Sequence, residues 1–198
     1  MPDRARLART LAAIDAANSD DPNTLEVRGV VRPKEQAHAE MVSEWIAKLV
    51  PDASEALQLA GRAHHLRRWV IPRSDHPEGR AGYLKWRRAL YDFHADEAAK
   101  ILEAHGYDAA TVGRVGDLLH KRGLARGDAE AQALEDALCL VFLETQFRSL
   151  AERLAEEKRL DVTAKTLRKM SDAAKALAFE IPLDPRDVET IRRAAELV

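Results

Sequence analysis

The residues of this chain best suited to chemistry are its histidines and a run of arginines. His38, the adjacent pair His64-His65 and Asp136 offer imidazole nitrogens and a carboxylate, the ordinary ligands of Zn, Mn and Fe. One divalent ion held by His65 and Asp136, with His38 or His64, would turn a bound water into a nucleophile near neutral pH. Glu135, next to Asp136, could serve an acid or base role with it. The alternative is structural: a histidine on an apolar helix face more often caps, hydrogen-bonds or fills an interface than binds a metal.

The second constellation is electrostatic. Between Arg62 and Arg88 stand eight cations, Arg62, Arg67, Arg68, Arg73, Arg80, Lys85, Arg87 and Arg88, against two acids, Asp75 and Glu78. The segment therefore carries +6, and with −2 over the whole chain the remainder carries −8. Guanidinium forks match phosphate and carboxylate bidentately. Arg67, Arg68, Arg73, Arg80, Lys85 and Arg88 are the expected anion-binding set. Trp69 and Trp86, with Tyr83, could stack on a base or on the arginines themselves. Equally, the arginines could pair with acids such as Glu135 or Glu144 and only hold helices together.

Helices must position these groups. Aromatic residues make up 5% of the chain while aliphatic residues and alanine dominate its apolar 46%, a balance that suits packed helices better than sheets. Apolar spacing predicts helices over Asp3–Asn18, Lys34–Val50, about Asp52 to Trp69, Tyr83–His105, Asp108–His120, Asp128–Phe147, Asp161–Phe179 and Pro185–Leu197. His38 heads the stripe Met41, Val42, Trp45, Ile46 and Leu49. Val70–Gly82, with two prolines and two glycines, reads as an ordered loop, and Val27–Arg32 as a short extended segment. The helix from Asp128 is apolar nearly all round, so Glu135, Asp136 and Glu144 along it need partners. His94 lies on an inner face and could join the site, as could His120, whereas His76 and His105 read as solvated.

The expectation is an all-α, compact single-domain bundle of seven or eight helices over residues 1–198. It would have a helical arm over 1–23, a core over 34–179 and a final helix over 184–198. No stretch approaches a membrane span, and the N-terminus lacks the apolar core of a signal peptide. The lone Cys139 in an apolar run allows no internal disulfide and implies a reducing compartment. The reading is of a cytoplasmic protein. Cys139 lacks an adjacent base, and Gly113 and Gly116 lie in a helical pattern with no lysine after them, so neither a thiol nucleophile nor a phosphate loop is expected.

The order His38, His64-His65, Asp136 resembles the HD-type metal phosphohydrolases, whose helical core supplies a histidine, a His-Asp pair and a distant aspartate. Here a second histidine stands where that pair has its aspartate. A closer resemblance covers most of the chain, from about Asp21 to Leu177. It is carried by HHLRRWVIPR (residues 64–73), GYLKWRRALYDFHA (82–95), QALEDALCLVFLE (132–144) and KTLRKM (165–170). In order and spacing these motifs resemble the domain-of-unknown-function family 4202. That resemblance implies a mostly helical fold and no established activity. It points to the His-Arg-Trp and Leu-Glu-Asp motifs as site candidates, favours His65 over His64, and does not extend to His38.

Two functions are therefore expected to compete. One is a phosphate- or nucleotide-binding protein, acting as a metal-dependent, HD-like phosphohydrolase with Asp136, His65 and Glu135 at its centre. The other is a non-catalytic module that docks an acidic protein or RNA on its arginines.

Overall fold

The computed structural model describes residues 3–198, and among these the chain forms ten α-helices, three short 3-10 turns and one two-stranded hairpin. The all-α expectation holds. In chain order the elements are α1 (Arg4–Asn18), β1 (Thr24–Val27), β2 (Val30–Pro33), α2 (Lys34–Leu49), α3 (Glu55–Ala63) and α4 (Gly79–Ala104). They continue with α5 (Ala109–Leu119), α6 (Ala129–Thr145), α7 (Phe147–Ala151), α8 (Glu156–Leu167), α9 (Asp172–Ala178) and α10 (Pro185–Ala195).

The stretch expected to be extended, Val27–Arg32, holds the turn and most of the second strand of the antiparallel hairpin, which pairs Thr24 with Pro33 and Val27 with Val30. Its turn residues Arg28 and Gly29 both have positive φ, 52° and 79°, the backbone that matches the twist of a tight hairpin.

Helix α6 is the centre of the packing. Ala131, Leu134, Ala137, Leu140, Val141 and Leu143 are all buried along it, and it packs most extensively on α2 and also on α9. α3 lies against α2 and α5, α4 against α5, and α8 against α10. One contiguous apolar cluster runs from Ile14 on α1 to Ala194 on α10. The caps follow the sequence: Asp108 accepts from the Thr111 amide, Asp128 from the Glu130 and Ala131 amides, and Asp184 from the Arg186 amide.

Three expected boundaries move. The helix foreseen from Asp52 to Trp69 begins after Ser54, whose hydroxyl caps the Leu57 amide at 3.1 Å. It ends at Ala63, because the chain turns back through Arg67 in the left-handed region, φ 52°. Helix α4 starts at Gly79, inside the foreseen loop. Its packing depends on Gly82, where a Cβ would lie 1.8 Å from the carbonyl oxygen of Pro77. The helix foreseen over Asp161–Phe179 is two, α8 and α9, broken at Ser171, which caps the Ala174 amide.

Candidate functional site

Two elements bring the metal-type ligands together. Glu35 and His38 lie three residues apart in the first turns of α2, hence on one face. Pro33 precedes that helix without offering a side-chain cap, and the buried Asp21 supplies one instead, accepting from the Glu35 amide at 2.9 Å. His64 and His65 follow the end of α3. The left-handed residue Arg67 closes this turn, and its amide donates to Oδ1 of the fully buried Asn18 at 2.9 Å. A non-glycine residue in this region costs about 1 kcal/mol, so α1 holds a strained turn that aims both histidines inward.

The four imidazoles form a cluster. His65 stacks on His38 and His64 with ring centres 4.5 and 4.3 Å away, and His94 of α4 tilts toward His65 at 5.9 Å. His65 Nδ1 lies 2.9 Å from a Glu35 carboxylate oxygen. Glu35, His38 and His65 each offer one donor atom, all within 4.8 Å of one another. A first-row ion about 2.0–2.2 Å from its ligands could be reached from all three with small side-chain movements.

Burial keeps the imidazoles neutral. It pushes His38 and His94 down to about 4, and His64 and His65 well below the usual histidine range, where neighbouring cations and the other imidazoles act in the same direction. Neutral imidazole is the metal-binding form. The hydrogen bonds assign tautomers. The Leu66 carbonyl, 2.9 Å from His94 Nδ1, can only accept, so Nδ1 carries the proton and Nε2 keeps a lone pair. That Nε2, and Nδ1 of His38, are buried with no hydrogen-bond partner.

These histidines floor a cavity of about 290 Å³. Its wall on α4 is one helical stripe, Tyr83, Arg87, Tyr91 and His94, which the 3.6-residue period aligns. Arg68, Arg87 and Lys121 bring three cations to the cavity. Arg68 lies over the Trp86 ring at 4.8 Å and 4.0 Å from Glu35. Arg87 donates to the Tyr83 and Tyr91 hydroxyls and, among the described residues, has no carboxylate within 4.0 Å. Lys121 stands where α5 ends, φ 58°, with the Arg122 amide bonding the Asp117 carbonyl at 2.8 Å. Glycine usually takes this position. Of the three non-glycine residues with positive φ among the described residues, Arg28 makes the hairpin turn, Arg67 closes the turn that carries His64 and His65, and Lys121 lines the cavity.

Of the ligands expected from sequence, His38, His64 and His65 come together and Asp136 does not join them. Asp136 lies outside the cavity lining. Its carboxylate accepts from the Ser171 amide at 2.8 Å, the Ser171 hydroxyl at 2.6 Å and Gln132 Nε2 at 2.9 Å, and so holds the break between α8 and α9. The HD-like order of residues is thus present in the chain without converging in space, and Glu35 supplies the carboxylate instead. Glu135 receives a short hydrogen bond from Lys121 and lies 3.8 Å from Lys169, so it answers lysines, not arginines. Glu144 accepts from Trp45 Nε1 at 3.0 Å and from Arg28 at 3.4 Å. His120 uses both nitrogens, on the Gly116 carbonyl and on Asp92, and stays out of the cluster.

The arginine segment divides as well. Arg68 reaches the cavity. Arg67 turns outward to Glu97 at 3.1 Å, and Arg62 meets Asp15 at 3.5 Å. Arg73 braces the loop through the His76 carbonyl at 2.8 Å, and Trp86 donates to the Ile71 carbonyl at 2.9 Å. Trp69 is half-buried off the cavity, and Arg80, Lys85 and Arg88 are exposed. Glu35, Arg87, Tyr91 and Lys121 are site residues that sequence reasoning missed. The Glu35–His38 spacing and the stripe from Tyr83 to His94 were the available signals.

Fold and site together define a helical protein with a buried histidine cluster under a cationic cavity. Over residues 8–191 the chain matches the family described as a domain of unknown function, DUF4202, and it belongs to that family. No match was found among curated proteins or among solved structures.

Proposed function

We propose that this protein binds a phosphorylated small molecule in the histidine cavity and hydrolyses it with the help of one divalent ion, Zn, Mn or Fe. The observation that carries this reading is the convergence of Glu35, His38 and His65, with donor atoms within 4.8 Å, beneath Arg68, Arg87 and Lys121. Bound there, the ion would acidify a water and polarise a phosphoryl oxygen. Arg87 is the chief anion contact in this reading, since a half-buried guanidinium lacking a carboxylate partner gains most from a phosphate. His94 Nε2, a buried bare lone pair, accepts a hydrogen from a water or a ligand hydroxyl. Hydrolysis would add water across the ester P–O bond, releasing an alcohol and inorganic phosphate. The buried thiol of Cys139, pushed up to about 12 chiefly by burial, takes no part and fits a reducing, cytoplasmic setting.

The test is metal content of untagged protein purified without chelator, read by mass spectrometry beside a His65→Ala variant, followed by phosphate release from phosphomonoesters. Near-stoichiometric metal that His65→Ala loses, with release that Arg87→Ala weakens, is the expected result. Protein that stays metal-free after incubation with Zn, Mn and Fe salts would overturn it.

A second reading has one observation in its favour: Arg80, Lys85 and Arg88 are exposed and, among the described residues, have no carboxylate within 4.0 Å. Docking of RNA there would give binding that weakens steeply with salt and survives loss of the histidines.

A further inference from the structure

We infer that the ligand is a nucleoside phosphate, with its phosphate in the histidine cavity and its base in a second groove opening from the same wall. The inference rests on the anion-binding reading above and adds a base subsite to it. A groove of about 350 Å³ adjoins the cavity, and Tyr83, Leu138 and Phe142 line both. The histidine cavity, about 290 Å³, lies at the lower edge of small-molecule sites, which span roughly 300–1,000 Å³. Cavity and groove together fall well inside that range, so a ligand with two parts fills them where free phosphate would not.

The two compartments differ in chemistry. The cavity presents Arg68 and Arg87 to an anion, with Lys121, paired to Glu135, in its wall. The groove has apolar walls from Leu138, Phe142, Leu150 and Val162, and its one acid, Glu135, is already answered by Lys121 and Lys169. An uncharged flat body therefore belongs in the groove and the charged end in the cavity. Tyr83 stands at their boundary, 41% exposed, and Phe142 lies in the shared wall. Aromatic side chains so exposed are the usual stacking partners of a base, whose face tolerates apolar contact on both sides. The groove also carries polar groups, the Thr166 hydroxyl oxygen, which can accept while its proton goes to the Val162 carbonyl, and the Lys169 ammonium, suited to the hydrogen-bonding edge of a base and of no use to an acyl chain. Gln146 in the cavity wall can both donate to and accept from a sugar hydroxyl.

The test is calorimetric titration of the chelator-treated full chain, which lacks the ion that hydrolysis requires, with adenosine 5′-monophosphate, ribose 5-phosphate and inorganic phosphate. Stacking of the base should make the nucleotide bind about tenfold or more tightly than ribose 5-phosphate. Val162→Glu, at a half-exposed groove position outside the cavity, should bring the nucleotide down to the ribose 5-phosphate level and leave ribose 5-phosphate within about twofold. Its thermal midpoint reports folding. Equal affinity for nucleotide and ribose 5-phosphate would overturn the base subsite and leave the anion site standing. Preference for the nucleotide that Val162→Glu leaves untouched would overturn the groove as its seat. Failure of all three compounds to bind would overturn both readings.

Discussion

Two buried polar sets in this protein look alike in sequence and differ in how far the fold satisfies them. Asp136 spends its carboxylate on three hydrogen bonds, and the Ser171 hydroxyl that donates to it also accepts from the Ala174 amide. Every atom there has a partner in the chain. In the histidine cluster, Nδ1 of His38 and Nε2 of His94 are buried without one, Arg87 has two tyrosine hydroxyls and no acid, and Lys121 lines the cavity with its backbone held left-handed. Unmet buried polar groups are costly, about 1–3 kcal/mol each, and two of the eight among the described residues lie in this cluster, where the adjoining cavity leaves room for a water or a ligand to complete the bonding. Saturation separates a structural carboxylate from a ligand set more sharply than residue type does.

The largest expected effect breaks the comparison directly. Asp136→Ala strips three hydrogen bonds from the break between α8 and α9 and leaves the Ser171 amide unmet, a loss of about 3 kcal/mol, yet it should leave metal retention intact in whatever fraction folds. His65→Ala should do the reverse, abolishing retention while moving the urea midpoint of the metal-free protein little. Urea unfolding and metal analysis of the two variants check both, and metal lost from folded Asp136→Ala would erase the distinction.

Gly82→Ala comes next. The Pro77 carbonyl that its Cβ would meet is backbone and has little room to yield, so a loss of about 2 kcal/mol is expected. Gly61→Ala is the internal control, because its Cβ meets side chains and no backbone, the tip of Ile46 at 2.3 Å and Val42 at 3.4 Å. Thermal midpoints should rank Gly82→Ala well below Gly61→Ala.

The smallest effect is on pH dependence. Buried His38 and His94 titrate at about 4 in the fold and near 6.5 when unfolded. The folded state therefore binds fewer protons in that interval, and the metal-free protein loses stability as pH falls from about 6.5 toward 4. Asp128, held far below the usual carboxylate range chiefly by its hydrogen bonds from Arg114, adds a separate loss only below about pH 4. In a thermal-midpoint profile of chelator-treated protein, His38→Gln should shrink the upper step, which His64, His65 and His94 share, and Asp128→Asn the lower one.

Much of this was legible in the chain. The 3.6-residue period of apolar positions yields α1, α2, α5, α6 and α10, because burying one face of a helix requires that spacing whatever the neighbours are. The Asp108, Asp128 and Asp184 caps are local hydrogen bonds and can be read locally. The apolar ring around α6 foretold that its acids would need partners. The breaks after Ala63 and at Ser171 were hidden, because each is imposed from a distance: Asn18 bonds the Arg67 amide and Asp136 bonds Ser171.

The same division runs through the site. Sequence alone determined that the chain is helical and that positive charge gathers between Arg62 and Arg88, and it put His38, His64 and His65 forward as candidate ligands. Tertiary structure decided which carboxylate joins the histidines and which cations face them. Glu35 rather than Asp136 meets His65, and Arg68, Arg87 and Lys121 reach the cavity while Arg67, Arg80, Lys85 and Arg88 do not. Spacing along a helix fixes which face a residue occupies, but what lies opposite that face depends on contacts between residues as far apart as Glu35 and His65, and those exist only once the helices are packed.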